Sequence, residues 1–375
     1  MPTAIPVAVG APTYAKALSV KIETALRRDA VPGAVVLVRS NEQGNWTAAF
    51  GTRQVGQNDP ITPLDVFRLG DITETMTATA VLRLQDQGKL HLSDPISKYV
   101  DGVPNGSTIT LQQLGDYSSG LFSYDQDASL RARYLADPQR TWTPQELLQV
   151  AFAHPAAPPS EDDAYTNTNY ILLGLVIEKV TGTDAATAFR TLLLDPLNLA
   201  RIGLSGASAS LPGPHPRGYV FAPDTAGGET LTAAQRSAAV AGTLKPVDRT
   251  MESPSFAWTA GAAYGDASDL ADFFQAMVDG PLLSAATRAE RISRMEALGA
   301  ADPGGVHYGY GIARYGTYLM YSGAVPGYHA LVAYDPTMKN TIVVLTNLMW
   351  TPTGGAPVAR IFAEVKAALG TSTTS

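Results

Sequence analysis

A helical pattern near the amino end, a mainly helical middle and three β-rich runs near the carboxyl end predict an α+β protein. The expected form is an α/β sandwich, an antiparallel sheet flanked by helices, with an all-helical domain inserted into it. Both chain ends supply the sheet domain, residues 1–66 and 247–375, and residues 67–246 form the helical insertion. A functional cleft is expected between the two. The 375 residues are 45% hydrophobic and 16% charged, enough apolar material for a sizeable core and unlike a disordered chain.

Each element has its own signal. Residues 14–28 carry Ala17, Leu18, Val20, Ile22, Ala25 and Leu26 near helical spacing and stop at Val31-Pro32-Gly33. Residues 34–39 and 46–51 are β-rich, with Asn41-Glu42-Gln43-Gly44-Asn45 as the turn between them. An amphipathic helix is expected over 72–87, ended by Gly88. Ser93-Asp94-Pro95 and Thr143-Pro144 each place an N-cap residue shortly before a helix-starting proline. Residues 169–181 form a strongly apolar helix pattern capped by Gly182, and 203–217, rich in Ser, Gly and Pro, read as a long surface loop. A helix over 266–277 precedes β-rich runs at 317–322, 330–334 and 341–345, the last two joined as an antiparallel hairpin. A final helix spans 356–369, and the polar tail 371–375 should fray. The chain has no internal repeat.

Composition excludes several function classes. Lys and Arg number 27 against 34 Asp and Glu, a net charge of −7 with no basic tract, which argues against nucleic acid as a partner. The absence of cysteine removes disulfides, thiolate nucleophiles and Cys-ligated zinc. His91, His154, His215, His307 and His329 are scattered without i, i+3 or i, i+4 spacing, so no metal and no cofactor are expected. No apolar run reaches the roughly 20 residues of a membrane span. The start Met1-Pro2-Thr3-Ala4-Ile5-Pro6 lacks the basic and apolar regions of a secretory signal, so a cytoplasmic protein acting on a small molecule is expected.

The segment Phe67-Arg68-Leu69-Gly70-Asp71-Ile72-Thr73-Glu74-Thr75-Met76 resembles the active-site segment of the serine β-lactamase and DD-peptidase superfamily. The branch it is most similar to holds class C β-lactamases, D-alanyl-D-alanine carboxypeptidases and related esterases. Gln87-Gly88-Lys89-Leu90, Ser119-Gly120-Leu121, Tyr165-Thr166-Asn167, Thr259-Ala260-Gly261, Tyr321-Ser322-Gly323 and Pro326-Gly327-Tyr328 extend the resemblance, in order, over nearly the whole chain. It implies a β-lactamase/transpeptidase-like fold. The family pattern S-x-x-K, a serine nucleophile activated by a lysine, reads Asp71-x-x-Glu74 here. The third motif, ordinarily opened by Lys or His, begins with Tyr321, and only Tyr165-x-Asn167 stands intact.

The resemblance implies that Asp71 sits at a helix start, where the dipole favours its ionised form. Glu74 lies one turn on along the same face, so the two carboxyls should titrate as a coupled pair with one pKa raised. Tyr165 should then stay protonated as a donor, and the N–H groups of Asp71 and Ala324 could polarise a carbonyl oxygen. Asp71-x-x-Glu74 before an apolar run is equally the pattern of a capping box, a role compatible with catalysis. Asn167, Tyr321, Ser322 and Ala324 are candidate substrate-orienting groups. Asp163, in the acidic run 161–163, is either a third carboxylate or a solvated loop residue. Phe122 and Trp258, with Tyr124 and Phe256, either line the cleft or belong to the core. Tyr117, where the family commonly has histidine, reads as a packing residue.

Three functions remain open. The first is an acid–base enzyme that uses Asp71, Glu74 and Tyr165 on a small neutral or cationic molecule in a biosynthetic pathway, by cyclisation, isomerisation, elimination or epoxide opening. The second is a hydrolase with Asp71 as covalent nucleophile. The third is a catalytically dead ligand-binding homologue.

Overall fold

The computed structural model describes residues 11–157, 165–206, 208–221, 231–297 and 305–370. Strands in chain order are β1 Gly33–Arg39, β2 Trp46–Gly51, β3 Phe67–Arg68, β4 Gly203–Leu204, β5 Tyr219–Val220, β6 Val247–Asp248, β7 Ala263–Gly265, β8 Val306–Gly309, β9 Ile312–Tyr315, β10 Tyr318–Val325, β11 Tyr328–Asp335 and β12 Asn340–Thr346. The helices are α1 Ala15–Arg28, α2 Ile72–Asp86, α3 Leu111–Gly115, α4 Ala128–Ala136, α5 Pro144–Phe152, α6 Asn167–Thr181, α7 Ala185–Phe189, α8 Ala233–Val240, α9 Trp258–Gly261, α10 Ala267–Asp279, α11 Ala285–Ala297 and α12 Pro357–Gly370.

Seven strands form one antiparallel sheet in the order β2-β1-β12-β11-β10-β9-β8, so an early strand lies directly against the last one. Helices α1 and α12 pack together, α12 covers β11 and β12 on one face, and α10 covers β1, β11 and β12 on the other. With both faces covered, β11 and β12 are buried at every residue and carry unbroken apolar centres, 330–334 and 342–345. Strand β10 faces the helical region and touches α2 and α9.

Helix α2 is not amphipathic as expected; it is buried from Ile72 to Leu82. It runs between β10, α6 and α9, so it has no solvent face to make polar. Its threonine hydroxyls are all satisfied: Thr73 donates to the Gly70 carbonyl, Thr75 to Gly311, Thr77 to Thr259 and Thr79 to Thr75. Bonds of this kind remove the desolvation cost that four buried hydroxyls would otherwise carry.

Other elements depart from expectation for local reasons. The helix expected after Ser93 is a single 3₁₀ turn, Ile96–Lys98. There Asp94 accepts from the His91 N–H, the Lys98 ammonium and the Tyr99 hydroxyl, and the Ile96 N–H bonds the distant Ile109 carbonyl, which turns the chain away. By contrast α5 starts at Pro144 beneath a Thr143–Glu146 capping box. Within the stretch read as a loop, Gly203–Leu204 pairs with β7. Helix α11 and the short strands β8 and β9 are not among the expected elements, and the tail 371–375 lies outside the described residues. Among the described residues no helix is long and apolar enough to cross a membrane.

Gly323 sets how closely β10 approaches the start of α2. An added Cβ there would fall on the Leu69 carbonyl oxygen and the Asp71 amide nitrogen, both backbone atoms that cannot rotate away. Gly323→Ala should therefore cost about 1–3 kcal/mol by overpacking, measured as a lower urea midpoint. An unchanged midpoint would mean that the two segments are not in contact.

Candidate active site

The site is assembled where α2 begins. Gly70 holds a φ of +56° and its Cα lies so close to β10 that a side chain would sit 2.6 Å from the Ala324 nitrogen. This turn delivers Asp71 to the strand. The Asp71 carboxyl makes no bond to its own helix; its Oδ2 accepts from the Ala324 N–H at 3.0 Å. The capping box therefore does not form, and the N–H expected to polarise a substrate carbonyl is already occupied by Asp71.

Glu74 is fully buried one turn further on. Its Oε2 lies within hydrogen-bond distance of the Tyr117 hydroxyl and, at 2.6 Å, of the Tyr321 hydroxyl, and the two phenols also bond each other. Three oxygens thus form a closed triangle with a hydrogen bond on every edge. Each edge needs one proton, and two phenols supply only two. The third proton belongs on Glu74, and burial together with the nearby Asp71 charge raises its pKa well above the ordinary glutamate value. Closed rings of this kind polarise cooperatively and hold their members in place.

Asp71 also departs from expectation. Burial raises its carboxyl to about 6, a shift opposed by the Ala324 N–H and the Tyr165 hydroxyl. Desolvation outweighs the helix start, because the carboxyl points to the strand and not along the helix axis. The two carboxyls are shifted up together, Asp71 to about 6 and Glu74 well above the ordinary glutamate value, and the proton count of the triangle assigns the retained proton to Glu74.

Tyr165 bridges the two. Its hydroxyl lies 3.2 Å from Asp71 Oδ1, 3.3 Å from Glu74 Oε1 and 3.1 Å from Asn167 Oδ1. Burial of the hydroxyl and both carboxyls raise its pKa well above 10, so it remains a donor. The residue is 46% exposed, which leaves the phenol as the link between buried Glu74 and the cleft. Asn167, at the first turn of α6, is held by its own N–H on Ser123 Oγ and by its Nδ2 on Asp125 Oδ2 at 3.0 Å.

Tyr117 is a member of the site and not only a packing residue. It adopts a φ of +64°, uncommon for an aromatic residue, and this turn aims its hydroxyl at Glu74 while its ring lies against Tyr165 and Tyr170. Its position before Ser119-Gly120 is the one sequence signal for it; Asp125 has none.

The remaining candidates are more scattered. Tyr321 joins the ring, and Ala324 contributes its N–H. Ser322 follows Tyr321 on the strand and so points to the opposite face, where its hydroxyl meets His329 Nε2 at 3.1 Å; it is not brought to the carboxyls. Phe122 is half-buried and stacks on His154 at 3.8 Å, and Trp258 is half-buried at the start of α9 with a φ of +35°. Asp163 lies outside the described residues. Ser119 is fully buried and donates to Asn169, so it offers no substitute nucleophile. Among the described residues no group of three or more His, Asp or Glu could hold a metal ion.

A family model described as Beta-lactamase matches residues 20–364. The "Putative penicillin-binding protein PbpX" of Bacillus subtilis is 25% identical over 331 residues, covering 88% of this chain and 73% of that protein. "Protein flp" of Staphylococcus aureus strain N315 is 30% identical over 186 residues; the match covers 48% of this chain and 36% of that protein. A D-stereospecific amidohydrolase from Streptomyces sp. superposes with a TM-score of 0.76 at 27% identity, over 96% of this chain and 99% of that one.

Proposed function

The chain belongs to the beta-lactamase family, and on that premise we propose that its site performs acid–base chemistry on a small molecule in place of acyl transfer. The observation that carries this reading is the pair of unequal carboxyls joined by one phenol, Asp71–Tyr165–Glu74, standing at the family's nucleophile and lysine positions. A base and an acid must differ in pKa to coexist near neutrality, and burial separates these two. Asp71, ionised above about pH 6, removes a proton from the substrate. Tyr165 delivers its phenolic proton to a developing oxygen anion and recovers one from the Glu74 carboxyl, whose Oε1 faces it. The proton that Asp71 removed then passes back through Tyr165 to Glu74 and completes the cycle. The substrate is neutral or cationic, since a second anion beside Asp71 would be repelled. Cyclisation, isomerisation, elimination and epoxide opening all need this pair and no covalent intermediate.

Two experiments test the reading. A chromogenic cephalosporin, labelled penicillin and a fluorophosphonate should each leave the intact mass unchanged; a stoichiometric adduct would show that a serine acylates after all. Metabolites from cells with and without the gene should differ by a product, and a single turnover in heavy-oxygen water should leave no label on Asp71. Label on Asp71 would make it a nucleophile, and identical metabolite profiles would make the protein a binder.

A further inference from the structure

Asp125 has no place in the family pattern read from the sequence, yet it closes a chain of hydrogen bonds that ends on the Tyr165 proton. It lies in the short 3₁₀ turn Tyr124–Gln126. One carboxylate oxygen accepts from the Ser123 hydroxyl, and the other accepts from Asn167 Nδ2 at 3.0 Å. Ser123 is held in turn, because its Oγ accepts from the Asn167 backbone N–H at 2.9 Å. A carboxylate can only accept, so the Asn167 nitrogen must face Asp125 and its Oδ1 must face Tyr165.

We propose that Asp125 is a positioning residue of the reaction: by fixing the orientation of the Asn167 amide, it presents an acceptor to Tyr165 and holds the phenolic proton between Asp71, Glu74 and the cleft. Were the amide reversed, its NH₂ would face the phenol as a donor. Tyr165 would then turn its proton fully toward Asp71 and tie up the base in a hydrogen bond. The proposal rests on the acid–base reading of the same site. The groups that face Asp71 are Glu74 from its own helix, Tyr165 and Asn167 from the start of α6, the Ala324 N–H from β10, and Asp125, whose charge adds to the upward shift of Asp71.

The test compares Asp125→Asn with Asp125→Ala, each checked for folding by its circular dichroism and urea midpoint. The asparagine introduced by the first substitution can still accept from Asn167 while lacking charge; the alanine introduced by the second neither accepts nor carries charge. Asp125→Asn should keep kcat within about threefold and shift the acid limb of the rate profile to lower pH. Asp125→Ala should lower kcat about 10- to 100-fold with KM nearly unchanged, and change the titration of the Tyr165 ζ-carbon in the free protein's NMR spectrum. Unchanged kcat and an unchanged Tyr165 titration in Asp125→Ala would overturn the positioning role, and so would equal losses in both variants. If Asp71→Asn also leaves the reaction intact, it is the acid–base reading that fails.

Discussion

Asp71→Asn lowers kcat by about 10³-fold or more and leaves a folded, more stable protein. Positioned general bases contribute roughly 10²–10⁴-fold, and the other carboxyl that meets Tyr165, Glu74, does not duplicate Asp71, because it is protonated inside its tyrosine ring. Asparagine keeps the shape and can still accept from the Ala324 N–H. The stability gain has a definite sign. An unfolded Asp titrates near 3.9, whereas the folded protein holds the Asp71 proton up to about 6. The folded state therefore binds the proton more tightly, and wild-type stability falls as pH rises from about 4 through 6. That difference between the two states corresponds to at most about 3 kcal/mol, a ceiling for a half-buried group. Urea denaturation of both proteins at pH 4 and pH 7.5 checks it: the difference should be near zero at the lower pH and favour the variant at the higher.

Glu74→Gln lowers kcat by about 10²–10³-fold and removes the alkaline limb of the rate profile. The amide fills the same space and can pair with Tyr117 and Tyr321, so the ring survives, but it has no proton to return to Tyr165. The sign for stability matches that of Asp71. A raised glutamate pKa costs nothing below its unfolded value, and the cost grows as pH rises toward the folded value. The variant should lose less stability between pH 4 and pH 8 than the wild type. Glu74→Leu provides the contrast, since it strands two buried phenols and should lower stability in urea by several kcal/mol at every pH.

The fold was legible because its signals are periodic. The β-rich stretches at the two ends are β1, β2 and β10–β12, and their place at either end of a helical middle assigned them to one sheet domain. The helix from Ile72 has a clear pattern, but its spacing could not show that it is enclosed from Ile72 to Leu82, because its threonines look polar while burying their hydroxyls on carbonyls. Asp71, Glu74, Tyr165, Asn167 and Tyr321 stand out by their motif positions, and they converge. Tyr117, marked only by its position before Ser119-Gly120, and Asp125, unmarked, converge there too, and their roles were not legible for different reasons. The first is aimed by a left-handed turn that no residue type advertises, and the second acts through an amide 42 residues away in the chain. The Asp71 shift runs opposite to the one a helix start implies, because the carboxyl turns to the strand and is governed by burial there.

The state of Glu74 decides the chemistry, and neutron diffraction from perdeuterated crystals near pH 7.5 reads it directly. Three deuterons should lie on the three edges between Glu74 Oε2, Tyr117 and Tyr321, with none on Asp71. Two deuterons on that triangle, with both carboxyls bare, would contradict a proton held on Glu74 and with it the division into a Glu74 acid and an Asp71 base.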